Sequence, residues 1–102
     1  MPSKPQTLDA AFDQATAELL RIFLKKHKDY GKGNILSVKE LGIAMRISEK
    51  TERLKHLLLK QELGTELPAN ESIEETWQDI AVYAVIAILL RRNHFQSLEV
   101  KK

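Results

Sequence analysis

The chain has 102 residues, of which 43% are apolar and 29% charged, and its formal net charge is +2. These values are ordinary for one folded domain of a soluble protein and argue against a disordered chain. The chain has no cysteine, which excludes disulfides, thiolate metal sites and a cysteine nucleophile. Basic and acidic residues are interleaved, which argues against a nucleic-acid-binding surface.

The chain begins without the apolar stretch of a secretory signal. Its longest apolar run, Ile80 to Leu90, has 11 residues. A membrane-spanning helix needs roughly 20. We therefore expect a cytoplasmic protein with no membrane contact, and we interpret the run as a buried helix.

Three long helical patterns, and no strand pattern, predict an all-α fold in a single domain of residues 1–102, with its core in 7–93. In the first pattern, apolar residues recur every three or four positions from Leu8 to Phe23, as in a helix with one face in a core. The predicted helices cover residues 7–27, 37–63 and about 70–93. A turn with two glycines at 28–34 and a loop at 64–70 separate them.

The second predicted helix carries its own start and stop signals. Ser37, with Glu40 three residues later, has the spacing of a capping box. Gly64 is a residue type at which helices commonly end, and Pro68 soon afterwards cannot continue a helix.

The third predicted helix is apolar nearly all round from Ile80 to Leu90. A chain this small cannot enclose such a helix by itself. We therefore expect a homodimer or homotetramer, whose association completes the bundle of three long helices. Trp77 and the apolar stripe are interpreted as core residues.

Four acidic residues form two pairs at helical spacing, Glu49 with Glu52 and Glu75 with Asp79. Like charges one turn apart destabilise a helix by roughly 0.2–0.5 kcal/mol per pair. On facing helices the two pairs could converge into an oxygen-rich pocket suited to Mg²⁺. The four carboxylates are therefore candidate metal ligands.

Ordinary surface roles remain an equal alternative for most of these carboxylates. Glu49 could pair with Arg53 four residues later, and Glu75 could cap its own helix beside Ser72. Asp79 fits a surface role least well, because its neighbours Trp77, Ile80 and Ala81 are apolar.

Basic and aromatic residues near the acidic pairs are candidate substrate contacts. A stripe on the second helix comprises Arg46, Lys50 and Arg53. These side chains could contact phosphate oxygens, although a solvent-facing, salt-bridged surface is the commoner role of such a stripe. In the turn, Tyr30 could stack on a base and Lys28 could meet a phosphate, or the segment could be an ordinary interhelical turn.

Residues 37–58 also resemble a DNA-binding helix-turn-helix with its turn at residues 46–48. Arg46 stands where such turns often have glycine, and Glu52 and Lys55 stand where the second helix would bury apolar side chains. No Pro or Gly interrupts residues 45–60. We therefore predict one continuous helix and rank the DNA-binding interpretation below the metal site.

Three segments together resemble a known family: KKHKDYGKGNIL, LGIAMRISEKTERLKHLL and NESIEETWQDIAVYAVIAILL. The family is the nucleotide modification associated domain of phages and bacteria, which is related to the all-α MazG-like nucleoside triphosphate pyrophosphohydrolases. The resemblance covers about Lys25 to Leu90. It implies a helical oligomer that binds Mg²⁺, or Mn²⁺ in its place. The implied reaction hydrolyses a nucleoside or deoxynucleoside triphosphate to the monophosphate and pyrophosphate.

The resemblance also implies roles for individual residues. The metal ligands would be Glu49, Glu52, Glu75 and Asp79, with Glu49 and Asp79 catalytic. The substrate contacts would be Lys28, Tyr30, Arg46, Lys50 and Arg53. Ser48 and Thr76 stand where the related pyrophosphohydrolases carry carboxylates. A nucleotide-binding or helical assembly module without catalysis is the alternative.

Overall fold

The computed structural model describes residues 4–64 and 73–101, and helices make up most of that part of the chain. The four helices found there are α1 (Leu8–Tyr30), α2 (Gly33–Glu62), α3 (Ile73–Arg91) and the short α4 (His94–Ser97). No strand occurs in those residues, which confirms the predicted all-α class with three long helices. No helix in the described ranges is long and apolar enough to cross a membrane.

Helix α1 begins where the sequence predicts but runs one turn further. The Thr7 hydroxyl accepts a hydrogen bond of 3.2 Å from the Ala10 N–H, as an N-cap side chain does. The helix ends at Gly31, whose positive φ of 67° suits glycine. Only Gly31 and Lys32 separate α1 from α2, so the predicted turn at 28–34 is wrong in extent. Lys28 and Tyr30 consequently lie on the last turn of α1.

Helix α2 begins at Gly33 rather than at Ser37, so the predicted capping box is wrong. The Ser37 hydroxyl instead donates a hydrogen bond of 2.8 Å to the Asn34 carbonyl oxygen. The helix breaks at Lys39, which has a positive φ of 62°. This break brings Val38 against Gly42, where an added Cβ would lie 2.3 Å from the Val38 Cβ. The bend therefore requires glycine at position 42.

Beyond the break, α2 is helical through residues 46–48. The turn that a helix-turn-helix would need there is absent, which confirms the uninterrupted helix predicted over residues 45–60, although the break at Lys39 interrupts the predicted helix of residues 37–63 near its start. The predicted stop is also confirmed, because Gly64 takes a positive φ of 73° just after the helix. The predicted loop at 65–70 and the Ser72 cap lie outside the described residues. Helix α3 ends at Arg91, two residues before the predicted end.

The buried core lies between α2, α3 and α4. Its members are Ile35, Ile43, Val82, Ile86 and Phe95. Leu54 and Leu57 are also buried further along α2. Helix α1 contributes no buried residue and packs against α3 through half-buried side chains such as Leu19 and Phe23.

One predicted core residue is exposed, and the apolar helix is open on part of its surface, as expected of a single chain this small. Trp77 is 53% exposed, although the sequence predicts a core position. The run from Ile80 to Leu90 is only partly buried, since Val85 and Ile88 remain about half exposed. Helix α3 makes its most extensive contact with α2 and a looser contact with α1, and part of its apolar surface stays open.

Candidate functional site

Asp79 lies at the point where α1, α2 and α3 meet. Lys26 Nζ on α1 donates to Asp79 Oδ1 at 3.0 Å, and Lys50 Nζ on α2 donates to Asp79 Oδ2 at 3.1 Å. Each carboxylate oxygen therefore has its own ammonium group. The Asp79 side chain is 28% exposed, Lys50 32% and Lys26 51%, so solvent reaches all three.

The two lysines control the ionisation of Asp79. Partial burial alone would raise the pKa of this carboxyl, because a low-dielectric environment disfavours the charged form. The hydrogen bonds and positive charges of Lys26 and Lys50 outweigh burial, so the pKa lies below the ordinary value of 3.8. Asp79 is therefore a carboxylate at neutral pH.

A cleft of about 90 Å³, partly open to solvent, adjoins this ion pair. Helices α1, α2 and α3 form its walls, and Phe95 of α4 also lines it. Lys26 and Asp79 lie on its wall together with two tyrosines, Tyr30 and Tyr83. Tyr30 is 75% exposed, so a ligand can reach its ring directly. The cleft thus combines aromatic rings with charged groups, as small-molecule sites commonly do.

Aromatic and cationic contacts organise the cleft. The rings of Phe23 and His27 stack with centroids 5.4 Å apart, and His27 meets the edge of Phe95 at 6.1 Å. On the other side, the Arg46 guanidinium lies 5.9 Å from the centre of the Tyr83 ring and donates to Asn34 Oδ1 at 3.2 Å. These contacts hold Tyr83 and Asn34 in place beside the cleft.

The structure brings only some of the predicted substrate contacts together. Lys50 contacts Asp79, Arg46 lies over Tyr83, and Tyr30 lines the cleft. Lys28 is exposed near the end of α1 but is not among the lining residues. Arg53, two turns after Arg46 on α2, is also exposed.

The four predicted metal ligands do not meet within one chain. Glu52 pairs with Lys55 at 3.2 Å on the surface of α2, and Glu49 is exposed on the same helix. Glu75 is exposed, whereas Thr76, the next residue, is buried. One residue rotates a helix position by about 100°, so Glu75 cannot replace a carboxylate at position 76. Within the described ranges, no three His, Asp or Glu side chains cluster as metal ligands.

Several residues of the site were not predicted from the sequence. Lys26 follows Phe23 by three positions, which places it on the same face of α1 and could have indicated that it points inward. Phe95 lies in a terminal segment with no recognisable pattern, and its burial depends on the turn at Asn93. Asn34 carries no signal in the sequence, because its role depends on Arg46, which lies further along α2.

Comparisons of the chain with protein-family models, with curated proteins and with solved structures find no significant match.

Proposed function

We propose that this protein binds a nucleoside or deoxynucleoside triphosphate in the cleft and hydrolyses it to the monophosphate and pyrophosphate in the presence of Mg²⁺. The observation that carries the proposal is the convergence of Lys26 and Lys50, from two helices, on Asp79 beside an aromatic cleft. This arrangement supplies cations for phosphates, a carboxylate for a metal ion and rings for a base.

The positive charges suit a polyphosphate. Two lysines, Lys26 and Lys50, contact the single carboxylate of Asp79, so these charges attract anions. Arg46 adds a further positive charge beside the ring of Tyr83 on the cleft wall. Ion pairs that solvent reaches contribute little stability, about 0.2–1 kcal/mol each. Both lysines can therefore leave Asp79 and donate to phosphate oxygens at low cost.

The aromatic groups suit a nucleobase. Tyr30 offers a largely exposed ring, and Tyr83 is held by Arg46 on the cleft wall. Stacking of a base on an aromatic side chain contributes about 1–3 kcal/mol.

The four-carboxylate metal centre implied by the family resemblance does not fit the geometry of one chain, since no three of its four carboxylates cluster in the described residues. Asp79 alone fits a simpler arrangement. Mg²⁺ is commonly held by one or two carboxylates together with substrate phosphates. We assign Asp79 as the residue that would hold Mg²⁺, or Mn²⁺, arriving with the triphosphate. The ion would neutralise phosphate charge and activate water.

We also propose that the protein acts in the cytoplasm, where nucleoside triphosphates are supplied, and as a homodimer or homotetramer. Self-association is supported by the small core, because only seven apolar residues among those described are buried and none of them belongs to α1. A second chain would cover the apolar surface that remains open.

Two assays on the same samples test the proposal. We expect one or more of the common triphosphates to raise the melting temperature with Mg²⁺ present. We also expect the wild-type chain to release pyrophosphate faster than Asp79→Asn, and Glu52→Gln, whose carboxylate pairs only with Lys55 in the described contacts, to behave like wild type. Binding without turnover would support the non-catalytic nucleotide-binding module instead. Absence of both binding and turnover would overturn the proposal.

A further inference from the structure

An apolar groove runs between α1 and α3, separate from the charged end of the cleft. It is lined mainly by aliphatic side chains, among them Leu19 and Leu20 of α1 and Val85 and Leu89 of α3. Thr16 is the one polar residue among those described along its walls. None of the described lining residues is charged, so the groove favours an apolar partner.

Exposed apolar side chains near the lining residues extend the apolar surface beyond the groove. Leu20 is 57% exposed and Val85 47%. One turn before Thr16, Phe12 is 71% exposed, and Ile88 beside Leu89 is 48% exposed. Large contiguous apolar patches of this kind mark sites of association.

The chain exposes more surface than a compact monomer of its mass does. The chain has an accessible surface of 8186 Å². A folded monomer of its mass has about 5,900 Å² on average, so the excess is about 2,300 Å². The radius of gyration is 15.7 Å, against about 13 Å for a compact domain of this length. Obligate dimers bury about 1,000–2,500 Å² on each partner. The excess is as large as the surface that one partner buries in such a dimer.

We propose that a second copy of this chain packs on the α1–α3 groove. The proposal rests on the self-association suggested above and specifies its surface. A two-fold dimer uses the same patch on both copies, and an uncharged apolar groove is complementary to itself. Phe23 and Val82 line both the groove and the cleft. A second chain packed on the groove would therefore also stabilise the part of the cleft that carries Lys26.

Charged substitutions in the groove test the proposal by sedimentation equilibrium. Leu20→Glu and Val85→Glu place a charge in the interface at positions that are about half exposed in the single chain. The matched control is Leu41→Glu, on α2, where the side chain is 74% exposed outside the groove. We expect wild type and Leu41→Glu to have at least twice the mass of one chain and both groove variants to be monomers.

Cysteine cross-linking keeps the proposal testable if a glutamate variant fails to fold. The chain has no cysteine of its own. Under mild oxidation, Leu20→Cys should form a covalent dimer at least tenfold faster than Leu41→Cys. A monomeric wild type would overturn both the self-association and this surface. An oligomeric wild type whose groove variants keep its mass, or equal cross-linking rates at the two positions, would overturn the surface alone.

Discussion

Replacing Asp79 by Asn removes the negative charge shared by Lys26 and Lys50, and we expect the folded state to lose about 1 kcal/mol of stability. Measured ion pairs of exposed groups contribute about 0.2–1 kcal/mol each. The Lys50 pair should lie in the upper part of that range because both partners are about one-third exposed, and the Lys26 pair in the lower part because Lys26 is 51% exposed. A loss of about 1 kcal/mol lowers the melting temperature by about 4–8 °C in a domain of this size.

The pH dependence of this effect has a defined sign. The folded-state pKa of Asp79 is lowered from 3.8, so the unfolded state binds the proton more readily. The stabilisation is complete above about pH 5 and is lost as the pH falls through the folded-state pKa. The asparagine amide of the variant cannot ionise. The stability difference between wild type and Asp79→Asn should therefore be largest near pH 7 and shrink towards about pH 2.

Urea unfolding at fixed protein concentration, at several pH values, measures this difference directly. Glu52→Gln is the matched control, since its pair with Lys55 is about 70% exposed on both sides and should contribute less than about 0.5 kcal/mol. A difference for Asp79→Asn that stays constant between pH 7 and pH 2 would refute the assignment of the effect to the carboxylate. A variant as stable as wild type at pH 7 would refute the ion pairs themselves.

Three further substitutions test the fold and the ligand site. Gly42→Ala should lower the free energy of unfolding by about 1–3 kcal/mol, because the added Cβ would overlap the side chain four residues earlier. Gly33→Ala is the control, since an added Cβ there has open space. Equal urea midpoints for the two variants would contradict this reason for Gly42. Phe95→Ala removes a ring that is only 4% exposed and should lower the free energy of unfolding by about 3–5 kcal/mol in the same assay. A loss below about 1 kcal/mol would show that α4 does not stabilise the core. Lys50→Met should weaken triphosphate binding about tenfold in calorimetric titrations and Lys55→Met should not, so equal affinities for the two variants would argue against phosphate contact at Lys50.

The helices were predictable because their signals are local. The apolar spacing from Leu8 to Phe23 and the glycine at position 64 act within one turn of the chain, and the structure has the predicted helix and its neighbour's predicted stop. The core face predicted for the first helix is wrong at its start, where Leu8 is 87% and Phe12 71% exposed, because no other helix in the described residues covers them. The break at Lys39 was not predictable, since lysine rarely takes a positive φ and no neighbouring pattern indicates one. Its consequence is that the real start of α2 precedes the apparent capping box.

The site was predictable only in part because it depends on how the helices face one another. Asp79 was identified by its apolar neighbours, which is a local property. Whether Glu49 and Glu75 meet Asp79 depends on the rotation of α2 and α3 about their axes, which spacing along one helix does not determine. The exposure of Trp77 has the same origin, because a fully apolar helix gives no sign of which side its neighbours will cover.

The most direct test of the proposed function is a ³¹P NMR time course of the wild-type protein with each common triphosphate and Mg²⁺. This spectrum distinguishes pyrophosphate and monophosphate from diphosphate and inorganic phosphate. We expect at least one triphosphate to yield monophosphate and pyrophosphate in equal amounts, at a rate that falls at least tenfold in Asp79→Asn. Release of inorganic phosphate in place of pyrophosphate, or identical spectra with and without the protein for every triphosphate, would contradict the proposed reaction.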